Sequence, residues 1–136
     1  MITEDYVSFE TAKLLKEKGF DESTSMVYMS YGDLCKLNRY DSIRNSNYND
    51  ITKSYFEYTA PTIQMAMKWL RKEHNLAILT SVTIDGWCSY VSQIKLDSEG
   101  FVVDIIDGID DGNIPNCDTY EEACESAIKY CLENLI

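Results

Sequence analysis

The sequence predicts an α+β domain in two layers, in which a three-stranded antiparallel meander packs against helices. Three observations support this prediction. Apolar residues recur at helical spacing in three segments, they alternate at strand spacing between residues 76 and 106, and turn residues separate these segments. The chain has 136 residues, 45% of them hydrophobic, which is enough for a core without disulfides or metal. We therefore expect a single domain over residues 1–136.

The first predicted helix covers residues 8–18 and has clear signals at both ends. Ser8 is a typical N-cap residue, because its side chain can accept a hydrogen bond from the first helical turn. Gly19 follows at the position where a left-handed residue often ends a helix, and Phe20 can then fold back on Leu15.

Between this helix and the next, the sequence is less regular. Residues 24–31 are rich in strand-forming side chains and predict a possible extra strand. The polar residues 36–53 predict a long loop, and loops of this length are usually functional or mobile.

A second helix is predicted over residues 61–74, because Pro61 suits a first helical turn and Asn75 offers a left-handed stop. One face carries four apolar residues, Ile63, Ala66, Met67 and Leu70. Met65 and Trp69 form a second apolar stripe, which must meet another layer, a loop or a partner.

The three strands of the meander are predicted at residues 76–84, 87–96 and 101–106. Each of the first two strands has an in-phase apolar set at even-numbered positions, which favours a three-residue connection that pairs Val82 with Cys88. The two sets are Leu76, Ile78, Val82 and Ile84, and Cys88, Tyr90, Ile94 and Leu96. The Asp-Gly dipeptide at residues 85–86 favours a two-residue turn instead, which would pair Ile84 with Trp87. We give the face pattern more weight, and it points Trp87 away from the core.

The second hairpin of the meander is simpler to predict. A four-residue loop over residues 97–100 pairs Leu96 with Phe101 and Ile94 with Val103, so that the three strands share one core face.

The last predicted helix covers residues 119–136 and opens with a capping box formed by Thr119 and Glu122. Its apolar face comprises Tyr120, Ala123, Cys124, Ala127, Ile128, Cys131 and Leu135. Its solvent face comprises Glu122, Glu125, Lys129 and Glu133.

Charge is concentrated at the carboxyl end of the chain. The net charge is −11, and residues 97–136 contain one basic residue, Lys129, against 11 acidic residues. This balance argues against free nucleic acid as a partner, since phosphate binding requires clustered Lys and Arg. The candidate acidic surface comprises Asp107, Asp110, Asp111 and Asp118.

Several kinds of site are disfavoured by the residues present. The five cysteines include no Cys-x-x-Cys pair and the chain has a single histidine, His74, so we expect no zinc site and read the cysteines as buried thiols. An EF-hand count from Asp107 puts Ile109 at the third position and Asp118 at the twelfth, which does not fit calcium. A phosphate-binding glycine loop is also missing. We expect no metal and no cofactor.

The acidic start of the chain, residues 1–6, lacks the features of a signal peptide, and no apolar run approaches the length of a membrane span. We therefore expect a cytoplasmic protein that does not contact a membrane.

Three segments together resemble a known group of proteins: residues 8–20 (SFETAKLLKEKGF), 60–71 (APTIQMAMKWLR) and 119–136 (TYEEACESAIKYCLENLI). They are similar to small uncharacterised proteins of gut-type anaerobic bacteria, often found in prophage or mobile-element surroundings. The resemblance covers the three helices and implies an intracellular bacterial protein, an accessory product of a mobile element. It implies no activity and no catalytic residues.

The feature that most favours a function is the polar and aromatic segment between residues 28 and 58, where six tyrosines alternate with Asn and Arg. Such a composition is typical of recognition surfaces, and it is equally typical of tyrosines that cover a sheet. The binding candidates are Tyr40, Arg44, Tyr48, Tyr55 and the outward-pointing Trp87.

We expect a non-enzymatic module that binds a protein partner or a second copy of itself. Two alternatives stay open. The acidic carboxyl segment could mimic nucleic acid and inhibit a basic host protein, or the chain could be a small enzyme without a recognisable motif.

Overall fold

A computed structural model describes residues 1–29, 32–36, 57–107 and 114–136, which form an α+β fold with two antiparallel sheets. The elements of this described part follow the order α1 (Phe9–Glu17), β1 (Met26–Met29), β2 (Leu34–Lys36), β3 (Glu57–Thr59), α2 (Ile63–His74), β4 (Leu76–Thr83), β5 (Gly86–Asp97), β6 (Gly100–Asp107) and α3 (Tyr120–Asn134). They cluster into two compact units, Met1–Thr62 and Ile63–Ile136, and each is described by itself. The expectation of a single domain stays a prediction.

The ends of α1, in the first unit, confirm the predicted signals. The Ser8 hydroxyl accepts a hydrogen bond from the Thr11 amide at 3.3 Å. At the other end Gly19 has φ +94°, and the Phe20 amide donates to the Leu15 carbonyl at 2.9 Å. This closes the helix in a Schellman arrangement and buries the side chains of both Phe20 and Leu15 completely.

The sheet of the first unit has the order β2-β1-β3, with both pairs antiparallel. Its central strand β1 confirms the possible strand predicted within residues 24–31. The two flanking strands were not predicted, because three residues are too few to show an alternating pattern. Strand β2 includes Lys36, the first residue of the predicted loop, and residues 37–53 of that loop lie outside the described part.

In the second unit, α2 begins two residues later than predicted, at Ile63. The delay arises because Pro61 belongs to a different interaction, in which its carbonyl accepts a hydrogen bond from the Val7 amide at 3.1 Å. The helix ends as expected, since Asn75 has φ +55° and turns the chain directly into β4. Of its second apolar stripe, Trp69 is buried and Met65 is partly exposed.

The second sheet has the predicted meander order β4-β5-β6, but the register of its first hairpin differs from the prediction. Thr83 pairs with Gly86 across a two-residue turn, so Val82 lies opposite Trp87 instead of Cys88. Even-numbered residues of β4 therefore share a face with odd-numbered residues of β5. The second hairpin is as predicted, with Leu96 opposite Phe101 and Ile94 opposite Val103.

Helix α3 begins at the predicted N-cap residue, Thr119, whose hydroxyl accepts a hydrogen bond from the Glu122 amide at 3.2 Å. The helix packs on β4 and β5 and also contacts α2. Its buried residues are Ala123, Cys124, Ala127, Ile128, Cys131 and Leu132, which largely matches the predicted apolar face. The three-stranded meander packed with helices is thus confirmed for the second unit.

Within the described ranges, no helix combines the length and apolar character needed to cross a bilayer.

Candidate functional site

Trp87 lies on the face of the sheet that α3 covers, which corrects the prediction that it points away from the core. The register explains the difference, because Trp87 belongs to the odd-numbered set of β5 together with Ser89. The Ser89 hydroxyl donates to the Ala123 carbonyl of α3 at 2.9 Å, so this set faces the helix. Trp87 itself is half-buried at the end of that face.

Backbone pairing brings Trp87 next to Asp118, one of the acidic candidates. The Trp87 amide donates to the Cys117 carbonyl at 2.8 Å, and the Cys117 amide donates back to the Trp87 carbonyl at 2.8 Å. The partner of Trp87 is therefore the residue immediately before Asp118, whose side chain is exposed. Two candidates that the sequence placed in separate segments thus lie at one place in the second unit.

The close approach of these two segments requires the glycine that precedes Trp87. Gly86 has φ +121°, a conformation that side chains with a Cβ rarely adopt. A Cβ atom at this position would lie 2.7 Å from the Cys117 carbonyl oxygen. Glycine at residue 86 thus permits both the turn and the backbone pairing.

The indole ring of Trp87 and the ring of Tyr120 pack in a T-shaped arrangement, with ring centroids 5.6 Å apart and planes at 83°. The Tyr120 hydroxyl in turn accepts a hydrogen bond from the Gln64 side chain at 3.2 Å. Tyr120 is the first residue of α3, so the helix start holds the tryptophan from one side. We call Trp87, Tyr120, Asp118 and Glu121 the Trp87 surface.

The charge of Glu121 acts on Tyr120, the second ring of the aromatic pair. The hydrogen bond from Gln64 lowers the pKa of Tyr120, but hydrogen bonding to Cys124, partial burial and the charge of Glu121 together raise this pKa above its usual value. In the part of the chain that the structure describes, neither Asp118 nor Glu121 forms a salt bridge. The positive end of the α3 dipole partly compensates these carboxylates.

A hydrogen-bond chain behind the surface anchors α3 to the sheet. Because the Ser89 hydroxyl donates to Ala123, it must accept from Thr80, whose hydroxyl lies 2.7 Å away. The Thr80 hydroxyl then accepts from the Cys124 thiol at 3.3 Å. The hydrogen bonds therefore run in one direction, from Cys124 through Thr80 and Ser89 to the Ala123 carbonyl. They satisfy polar groups that lie between β4, β5 and α3.

Cysteine and histidine occupy structural positions. All five cysteines are free thiols, and Cys88, Cys124 and Cys131 are buried as expected, whereas Cys35 and Cys117 are half-buried. Burial raises the pKa of the Cys131 thiol to about 12. His74 packs edge-on against Trp69 at the last residue of α2. Across the described ranges, no cluster of three or more His, Cys, Asp or Glu residues could hold a metal ion.

The opposite face of the sheet exposes apolar residues, and one of them, Leu96, belongs to the predicted core face. Leu96 on β5 is 75% exposed, and Leu79 on β4, opposite Tyr90, is 65% exposed. These exposures follow from the register, which turns the even-numbered residues of β5 away from α3. Periodicity alone could not reveal this, because both faces of the hairpin carry apolar residues.

Of the remaining candidates, the structure describes Asp107. Tyr40, Arg44, Tyr48, Tyr55, Asp110 and Asp111 lie outside the described residues, and Asp107 is the last residue of β6, opposite Val91. Two other tyrosines of the aromatic segment, Tyr28 and Tyr58, pack against Phe9 of α1. For these two, the interpretation as a cover for the sheet is correct.

Comparisons of the chain with protein-family models, curated proteins and solved structures find no match. The resemblance to small proteins of anaerobic bacteria therefore stays a prediction.

Proposed function

We propose that the protein is a non-enzymatic module that binds another protein, and that the Trp87 surface is one of its contact sites. A single observation carries this proposal: a half-exposed tryptophan is held in place by backbone pairing on one side and by an aromatic ring on the other. Tryptophan and tyrosine contribute most strongly to protein interfaces when they are held rigidly before binding, because little entropy is then lost.

The indole group also has unused hydrogen-bonding capacity. Among the described residues, none accepts a hydrogen bond from the Trp87 indole N–H. A partner can therefore contact the ring and accept a hydrogen bond from its edge, which combines contact area with orientation. We propose the segment with Tyr40, Arg44, Tyr48 and Tyr55 as a further contact, on the basis of its composition alone.

We propose a cytoplasmic location, which the five free thiols support, because a reducing compartment keeps thiols in that state.

The test is a comparison of two single variants in binding to the same partner. The partner is captured with the purified protein, identified by mass spectrometry, produced separately and titrated by calorimetry. Trp87→Ala should weaken binding at least tenfold, as expected for an interface anchor. Leu79→Ala is the matched control, because it removes a large exposed side chain from the opposite face of the same sheet.

Equal affinities for the wild-type protein and the Trp87→Ala variant, with the fold intact by circular dichroism, would contradict the proposal for this surface. Light scattering on the same samples distinguishes a second copy of the chain from a different protein as the partner.

A further inference from the structure

The charges near Trp87 indicate what kind of partner fits the surface. Residues 63–136 contain 13 acidic and 5 basic residues, so the second unit is strongly negative. Asp85 lies in the β4–β5 turn, two residues before Trp87. Asp118 directly follows Cys117, the residue whose backbone pairs with Trp87. Both aspartates are exposed.

Two of the five basic residues of this unit lie far along their elements from Trp87 and Tyr120. Lys95 lies eight residues beyond Trp87 on β5, about 27 Å along an extended strand, and is paired with Asp104 at 3.6 Å. Lys129 lies more than two helical turns beyond Tyr120 on α3, and the remaining three basic residues lie on α2, namely Lys68, Arg71 and Lys72. Of these three, Lys68 lies one helical turn beyond Gln64, the residue that donates a hydrogen bond to Tyr120.

An indole ring with carboxylates on neighbouring residues has the chemistry that recognises a cation. The π system attracts a guanidinium or ammonium group that lies over the ring, and this attraction adds to the pairing with nearby carboxylates. Apolar contact with the methylene groups of a long basic side chain adds further area.

We propose that the Trp87 surface binds a basic segment of a protein partner, with an Arg or Lys side chain packed on the Trp87 ring and its charge facing Asp118 and Glu121. This inference rests on the proposed function and specifies its partner. Arginine is the better fit of the two, because its planar group can stack on the indole and still donate hydrogen bonds to both carboxylates.

The experiment uses the full chain, labelled with nitrogen-15, and a synthetic deca-arginine peptide as the probe. The chain has two tryptophans, so each spectrum contains two indole N–H signals. The signal of Trp87 should shift during the titration, whereas the signal of Trp69, which is buried, should stay in place as an internal reference. Deca-lysine should bind more weakly than deca-arginine, and deca-glutamate should cause no shift.

Bulk attraction to an acidic protein is separated from recognition by two double variants of equal net charge. Asp118→Asn with Glu121→Gln removes two charges at the surface, and should weaken deca-arginine binding by about threefold to tenfold. Asp97→Asn with Glu99→Gln removes two charges at the β5–β6 turn, where the Asp97 side chain retains its bond to the Glu99 amide. This control should change the affinity by less than twofold.

Each result then supports or overturns the inference. Equal weakening by the two double variants, or a titration in which the Trp87 signal does not move, overturns it. Trp87→Leu keeps an apolar side chain but removes the π face, so it should weaken deca-arginine binding; unchanged affinity would also overturn it. If the captured partner still depends on Trp87 in that case, the proposed function stands and only the basic nature of the partner fails.

Discussion

The pairing of Trp87 with Cys117 depends on a glycine, and replacing this glycine is the most informative single perturbation of the site. Gly86→Ala places a Cβ atom 2.7 Å from the Cys117 carbonyl oxygen, closer than real Cβ contacts come. The obstructing atom belongs to the backbone, so the clash cannot be relieved by rotation of a side chain. We expect the two segments to separate, with loss of both 2.8 Å hydrogen bonds between them.

The magnitude can be estimated with the help of a matched glycine. Gly100 has φ +131°, close to the +121° of Gly86, but a Cβ there would have no neighbour within 4 Å. The loss of stability in Gly100→Ala therefore contains no clash. It consists of backbone strain, about 1–3 kcal/mol, reduced by about 0.4–1 kcal/mol because alanine restricts the unfolded chain. Gly86→Ala adds the loss of two backbone hydrogen bonds, about 0.5–1.5 kcal/mol each. It should therefore destabilise the protein by about 1–3 kcal/mol more than Gly100→Ala does.

The assay is unfolding in urea, followed by circular dichroism, for the wild-type protein and both variants. Hydrogen exchange of the Trp87 amide gives a local measurement, since this amide donates to Cys117 in the folded protein. Its protection should fall sharply in Gly86→Ala and persist in Gly100→Ala. Equal destabilisation by the two substitutions, or full protection of the Trp87 amide in Gly86→Ala, would refute the reasoning.

Two further predictions concern the buried side of α3. Ser89→Ala leaves the Thr80 hydroxyl without its acceptor and should lower the free energy of unfolding in urea by about 1–2 kcal/mol. The control Ser81→Ala, on the opposite face of β4, should lower it by less than half as much. Equal losses of stability would contradict the hydrogen-bond chain. The pKa of Cys131 is raised from 9.0 to about 12, so its contribution to stability is complete below pH 9 and is lost as pH rises towards 12. Between pH 9 and pH 12, the free energy of unfolding of the wild-type protein should fall more steeply with pH than that of Cys131→Ala. The difference in slope should be about 1.4 kcal/mol per pH unit. Parallel pH profiles of the two proteins would contradict this prediction.

Helix boundaries were the most predictable part of the fold, because capping is a local interaction. Ser8 with Thr11, and Thr119 with Glu122, form their bonds within one helical turn. The left-handed conformations of Gly19 and Asn75 likewise follow from residue type and position. Such signals are readable because the atoms that decide them lie three or four residues apart.

The register of the β4–β5 hairpin was not predictable by the same means. Ser89 occupies an odd-numbered position that the alternating pattern assigns to solvent, yet it lies under α3, where it accepts a hydrogen bond from Thr80. The apolar even-numbered residues of β5 consequently occupy the other face, where Leu96 is exposed. A polar residue can be buried wherever a distant segment supplies its partner, and that partner is not visible in a local pattern.

In the candidate site too, one residue was chosen from the sequence, whereas its contacts were seen only in the structure. Trp87 was singled out from the sequence, but for the wrong reason, since it was expected to point away from the core. Tyr120 was assigned to the apolar face of the last helix, and its position against the indole ring was not foreseen. No short-range signal connects these residues, which are 33 positions apart in the chain.

By itself, the sequence determined the α+β class, the three helices, the meander and the concentration of negative charge near the carboxyl end, because periodicity, capping and composition are properties of short segments. Only the tertiary structure decided which face of the meander α3 covers and that Trp87 lies beside Asp118. Both depend on contacts between segments distant in the chain, above all the 2.8 Å backbone bonds that Gly86 permits between Trp87 and Cys117.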